Sequence, residues 1–290
     1  MMMFSENILQ RLLHIIPHNQ TYHSPIKGLV IHHSDQPFSY ENVIQEPSIC
    51  IVINGEREVR LGNQYFLFNP RHFMFCPVDI PMCGKIVKAT PDEPFVVLSM
   101  KIDLQVVNHI LFEQATLPFA NHEINLPAFT QWHLERELEH AFARLLLLHE
   151  NPEDIAFLAP LIQQEIYYRL LKGEQGGKLK QMVSFGSNTQ KIAKATQYLQ
   201  AHFREAVRIE MLAELCGMSL SGFHHHFKEI TTLSPLQYQK SLRLMEAKRL
   251  ICQEKSAIAE AAFQVGYESP SQFSREYKRY FSIAPSVQAA

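Results

Sequence analysis

Three histidines stand in a row at His224-His225-His226, and five cysteines are scattered at Cys50, Cys76, Cys83, Cys216 and Cys252. Imidazole and thiolate are common zinc ligands. The histidine run does not predict such a site, because consecutive residues on a helix stand 100° apart and do not converge on one ion. His32-His33 are adjacent within a strand-like run and so point to opposite faces, while His72 is alone. There is no Cys-x-x-Cys, and an odd cysteine number fits reduced thiols in a cytoplasmic protein. No metal and no other cofactor is expected. Cys50, Cys76 and Cys83 fall on or beside strand-like runs, where a thiolate could react with an electrophile or an oxidant. That makes them candidate sensor thiols, although a buried cysteine usually acts as a small hydrophobe. Nucleophile elbow, phosphate loop and dinucleotide fingerprint are missing, and Asp92/Glu93 sit in a turn, so no enzyme is expected.

The remaining chemistry is hydrogen bonding from two short helical stretches. In the first, Phe223 and Phe227 are spaced as core anchors, which leaves Ser221, Gly222, His224 and His225 facing outward and Lys228 placed for a phosphate. In the second, Phe273 and Tyr277 are the anchors, and Ser271, Gln272 and Arg275 face outward. Gln suits adenine N6/N7 and Arg suits guanine O6/N7, whereas histidine is a less decisive reader of bases. Lys278 and Arg279 lie a turn further on, towards phosphates.

Each stretch ends a duplicated unit. Ala213 stands four residues before Gly217, and Ala262 four before Gly266; the two glycines are 49 positions apart. A small residue lets the second helix cross closely over the first, and glycine supplies the positive φ of the turn. Ser219 and Ser269 are suitable N-caps, and Pro270 suits a first helical position. Two helix-turn-helix units on one chain imply a reader of double-stranded DNA, each second helix offered to a major groove. One helix over Pro235–Cys252 joins them and spans about 27 Å. With the helices' own width, that separates the readers by about one DNA turn, ~34 Å.

Net charge over the 290 residues is −2, but it is unevenly spread. Residues 189–290 hold 13 Lys and Arg against 9 Asp and Glu, a balance of +4; the rest hold 14 against 20, or −6. The basic part coincides with the repeats, as phosphate binding favours. No signal-peptide pattern and no apolar run long enough for a membrane span occurs, so no membrane partner is expected. Residues 5–17 predict a short amphipathic helix. Between Gly28 and Ile102, short runs such as Ser48–Ile53, Tyr65–Phe68 and His72–Cys76 predict an antiparallel barrel or sandwich, with Phe66, Phe68, Phe73 and Phe75 as core. Residues 103–172 predict helices, one starting at Asn151-Pro152. The glycine-bearing stretch 173–188 is read as a linker.

The C-terminal part, about residues 189–290, resembles the DNA-binding domain of AraC/XylS-type bacterial transcription regulators. The resemblance is carried by Ser234–Tyr238, Leu242–Leu250 and, most specifically, Val265–Phe281. One departure is Thr231-Thr232, where that family usually has a glycine after the threonine. Residues 20–170 resemble the sensory domain of one subgroup through Glu46–Gly55 and Val78–Gly84. The resemblance implies an α+β multidomain protein: a cupin-like β-barrel with dimerising helices over 1–172, the linker, and an all-α domain over 189–290. It implies base readers matching Ser221, His224 and His225, an unidentified small effector, a homodimer and RNA polymerase as a partner. Some similar regulators respond to aldehydes, which fits the sensor-thiol reading. The competing reading is a cupin-type enzyme with an appended DNA-binding module.

Overall fold

The computed structural model describes residues 6–62, 64–113, 130–184 and 186–288. Asn63, and residues 114–129 of the expected helical region, lie outside them. Helix α1 (Glu6–Leu13) precedes the strands β1 (Thr21–His23), β2 (Leu29–Ser34), β3 (Phe38–Gln45), β4 (Ser48–Asn54), β5 (Glu56–Leu61), β6 (Gln64–Phe68), β7 (His72–Cys76), β8 (Ile80–Lys88) and β9 (Phe95–Lys101). Then come α2 (Leu104–Glu113), β10 (Thr130–His133), α3 (Arg136–Leu147), α4 (Pro152–Lys172) and α5 (Gly176–Val183). The strands make two antiparallel sheets in the orders β1-β2-β9-β4-β7-β10 and β3-β8-β5-β6.

Strand β4 reads as an unbroken apolar run because both its faces are covered. Ile49, Ile51 and Ile53 pack with the helices, whereas Cys50 and Val52 face the barrel interior. Strand β7 alternates in the same way, with Phe73 and Phe75 towards the helices and Met74 and Cys76 inward. Phe68 is core as expected, but Phe66 is only half-buried. Each large side chain so buried stabilises the fold by about 1.5–3 kcal/mol. Residues 173–188 differ from their expected role as a linker. They include α5, whose Leu179 and Met182 are buried against the outer helices of the barrel domain.

The last part is helical: α6 (Asn188–His202), α7 (Ile209–Leu215), α8 (Leu220–Thr231), α9 (Pro235–Cys252), α10 (Ile258–Gln264), α11 (Pro270–Phe281) and α12 (Pro285–Gln288). Helix α9 covers the expected span. Its start is fixed by Ser234, whose hydroxyl accepts from the Gln237 N–H while the Gln237 side chain accepts from the Ser234 N–H.

The barrel's inner core does not end at the barrel wall. Val59, Phe68, Met82 and Phe95 belong to one cluster with Ile192, Leu199, Phe223, Phe227 and Tyr238. At this junction the Tyr238 hydroxyl donates to the Asp79 carbonyl at 2.8 Å. The Arg60 guanidinium donates to the Tyr280 carbonyl and lies 5.4 Å from the centre of its ring. Among the described residues no helix is long and apolar enough to cross a membrane.

Candidate nucleic-acid interface

Both helix-turn-helix units follow from their turn chemistry. Gly217 and Gly266 adopt φ of +60° and +89° between α7 and α8 and between α10 and α11. Ser219 accepts from the Gly222 N–H at 3.2 Å, and Ser269 from the Gln272 N–H at 3.3 Å, so each second helix begins on a serine cap. Ala213 and Ala262 are buried at the crossings, and Phe223, Phe227, Phe273 and Tyr277 are fully buried anchors.

That burial decides which side chains remain outside. Ser221, His224, His225 and Lys228 are exposed on α8, and Ser271, Gln272, Arg275, Lys278 and Arg279 are exposed on α11. Among the described residues the side chains of Lys228, Arg275 and Lys278 make no hydrogen bond or ion pair. Gln272 is lightly held, its amide 3.4 Å from Glu276. Arg279 sits apart from the rest: it lines a cavity of about 330 Å³ together with Arg60, Gly62 and Tyr65 of the barrel. The ring centres of His225 and His226 lie 5.0 Å apart.

Sequence reasoning missed the groups that hold the second unit in place. Arg243, on α9 between Leu242 and Leu244, donates to the carbonyls of Phe203 at 2.6 Å, Gly266 at 2.8 Å and Glu205 at 2.8 Å. One guanidinium therefore ties the chain before the first unit to the turn of the second. Burial lowers its pKa, with Tyr267 and Glu276 acting the other way. The only advance signal was a cation placed between two core leucines. Glu276, on the inner side of α11, accepts from Lys240 and from the Tyr267 hydroxyl, each at 2.9 Å. Burial pushes its carboxyl up, but these two donors outweigh that and hold it below the ordinary carboxylate range. Burial, reinforced by Glu276, pushes the Tyr267 phenol up.

The candidate thiols lie inside the barrel domain. Cys50, Cys76 and Cys83 are all buried, and desolvation raises the pKa of each. Such surroundings favour the neutral thiol over the thiolate that would attack an electrophile. His33 is buried and accepts from the Asn19 N–H at 2.9 Å, while His72 faces His133 with ring centres 6.2 Å apart. A cavity of about 440 Å³ opens between β3 and α9, beside Asn42, Ile44, Gln200, Leu242 and Lys248. Both polar atoms of the Asn42 side-chain amide are buried there without a partner.

Comparison with known proteins adds to this geometry. Residues 25–178 match the family described as AraC-type transcriptional regulator N-terminus, and residues 212–288 match a helix-turn-helix domain family. The HTH-type transcriptional activator RhaS of Salmonella schwarzengrund is 31% identical over 99 residues, which are 34% of this chain and 36% of RhaS. The aligned region thus spans about a third of that relative's length. ToxT from Vibrio cholerae superposes with a TM-score of 0.52 over 91% of this chain and 98% of its own, at 12% identity. ToxT bound to (E)-4-(8-methylnaphthalen-1-yl)but-3-enoic acid gives 0.52 over 91% and 98%, at 13% identity. At such identities these likenesses show a shared fold.

Proposed function

Because the chain belongs to the AraC-type transcription regulators, we propose that it reads double-stranded DNA through both helix-turn-helix units and couples that reading to a small effector. The observation that carries this is the repeated pattern of buried aromatic anchors beneath exposed polar side chains on α8 and α11. Ser221, His224 and His225 meet base edges in one major-groove segment, and Ser271, Gln272 and Arg275 in the next. Lys228, Lys278 and Arg279 meet phosphates, which position the protein without specifying sequence. The working division is a sensory and dimerising part over 1–172, a connection over 173–188 and the DNA-binding part over 189–290. The structural neighbour ToxT is bound to an aryl-substituted butenoic acid in one of its structures. For this chain the effector site we assign is the cavity between β3 and α9, beside the buried and unpartnered Asn42 amide.

A second copy of the chain is the expected partner of α4, where Phe157 and Leu161 lie one turn apart and exposed. RNA polymerase is the remaining protein partner, and the cytoplasm the place of action. The test is selection of bound duplexes from a random library by the full-length protein. Each chain should recover two half-sites about 10–10.5 base pairs apart on one face of the DNA. Recovery of no enriched sequence overturns the reading.

A further inference from the structure

One turn of α8 gathers metal-ligating groups. His225, His226 and Glu229 each bring a ligand atom to within 4.8 Å of the other two; among the described residues no other group of three His, Cys, Asp or Glu does so. The geometry explains why. Positions 225 and 226 stand 100° apart around the helix, but position 229 falls about 40° past 225, between them and one turn on. Glu229 is therefore the ligand that two consecutive histidines can share. His226 Nδ1 lies 3.2 Å from Glu229 Oε2, and the His225 ring meets the His226 ring at 71°.

The surroundings fit an ion at that point. A tetrahedral zinc ion with bonds of about 2.0–2.1 Å separates its ligand atoms by about 3.4 Å, so the exposed His225 side chain closes the remaining distance by a small rotation. Lys178 approaches the other carboxylate oxygen, Oε1, at 3.5 Å, which leaves Oε2 facing the imidazoles. The Asn188 side-chain amide nitrogen stands at the ring edge, 3.0 Å from His226 Nε2 and 3.3 Å from Nδ1, so an ion on Nδ1 requires that amide to move aside. With an ion on Nδ1, Nε2 keeps the ring proton and donates to the amide oxygen of Asn188 once that amide turns over. A histidine ligand oriented through its second nitrogen is the usual arrangement of a metal site.

We propose that His225, His226 and Glu229 form a site for a divalent transition metal of the zinc class, completed by water, and that loading it withdraws His225 from DNA. The second half rests on the assignment of His225 as a base reader; the site itself does not.

The test uses full-length protein, Zn2+ as the probe and a chromophoric chelator as competitor. Wild-type protein should hold a Zn2+ that His226→Gln and Glu229→Gln bind far more weakly. Losing only an outer partner of a ligand costs about 10–100-fold in affinity, and losing a ligand costs more. Equal zinc affinity in wild type and both variants, with unchanged melting in chelator, overturns the site. Zinc should also weaken wild-type binding to a selected duplex and leave His226→Gln binding unchanged, since His226 is not a reader. Zinc binding that is lost in the variants but leaves DNA affinity untouched overturns the coupling alone. A protein that binds zinc but no duplex counts against the DNA reading and not against the site.

Discussion

The first helix-turn-helix unit buries Phe223 and Phe227 in a cluster that runs on into the barrel through Phe68, Met82 and Phe95. The second buries Phe273 and Tyr277 in a cluster of its own, with Leu244, Ala262 and Val265. The turns differ correspondingly. A Cβ at Gly217 would meet nothing within 4 Å, whereas one at Gly266 would lie 2.0 Å from the Arg204 carbonyl oxygen. The first unit needs glycine for its φ alone, and the second also needs it for close backbone approach, secured by Arg243. A change in the barrel therefore reaches the first reader through shared packing. It reaches the second along α9, through Arg243 and through the contact of Arg60 with Tyr280, with no shared apolar core among the described residues. Two units alike in backbone are thus coupled unequally to the sensory part.

The largest effect that tests this inequality comes from the anchors. Phe223→Ala and Phe273→Ala should each cost about 3–5 kcal/mol of stability, as truncations of buried aromatics do. They should differ in reach. Phe223→Ala should speed amide hydrogen exchange in the barrel strands β5 and β8 as well as in α8, and Phe273→Ala only in α10 and α11. Equal loosening of the barrel by both would break the comparison.

The readers come next. Arg275→Ala should cost about 1–3 kcal/mol of specific binding and relax sequence preference in one half-site. His225→Ala should cost less, because an imidazole makes no bidentate contact with a base. Affinities for a selected duplex at fixed salt decide the order, and a larger loss for His225→Ala would reverse the assignment of the stronger reader. A smaller effect belongs to Tyr238→Phe. Losing the hydroxyl removes the 2.8 Å hydrogen bond to the Asp79 carbonyl, worth about 0.5–1.5 kcal/mol. Hydrogen exchange should rise at β8 and α9 together and stay unchanged at α11.

Much of the DNA-binding part was legible because its signals are local. Serine caps, turn glycines and a proline at a first helical position marked α8 and α11 with little dependence on distant residues. The barrel domain was legible in texture but not in detail. Strand β3, Phe-Ser-Tyr-Glu-Asn-Val-Ile-Gln, lacks clean alternation, and β10 exists by pairing with β7 some sixty residues earlier. Helix α5 was concealed by Gly173, Gly176 and Gly177, although Leu179 and Met182 supply the apolar face that docks it. Glu229, one turn beyond His225, brings a third ligand atom within 4.8 Å of the two histidines, a grouping that the histidine run alone does not display. The junction of barrel and readers lay beyond any local pattern, since Tyr238 and Asp79 are 159 residues apart.

The smallest effect concerns how each reading helix ends. Thr232 closes α8 at φ +64° and Ser282 closes α11 at φ +63°, both in the left-handed region where glycine is favoured. A β-branched residue is a rare occupant of that region, and such backbone strain costs about 1–3 kcal/mol. The Thr232 hydroxyl offsets none of it, because its oxygen is buried without a hydrogen-bond partner. Thr232→Gly removes the strain but adds unfolded-chain entropy worth about 0.5–1 kcal/mol. The two together leave a stabilisation of about 1 kcal/mol. Ser282→Gly should gain less, since serine lacks the second branch on Cβ. Chemical denaturation of the two variants measures both. A loss of stability in Thr232→Gly would mean that the first unit's exit is held by its threonine side chain, and that the two helices end for different physical reasons.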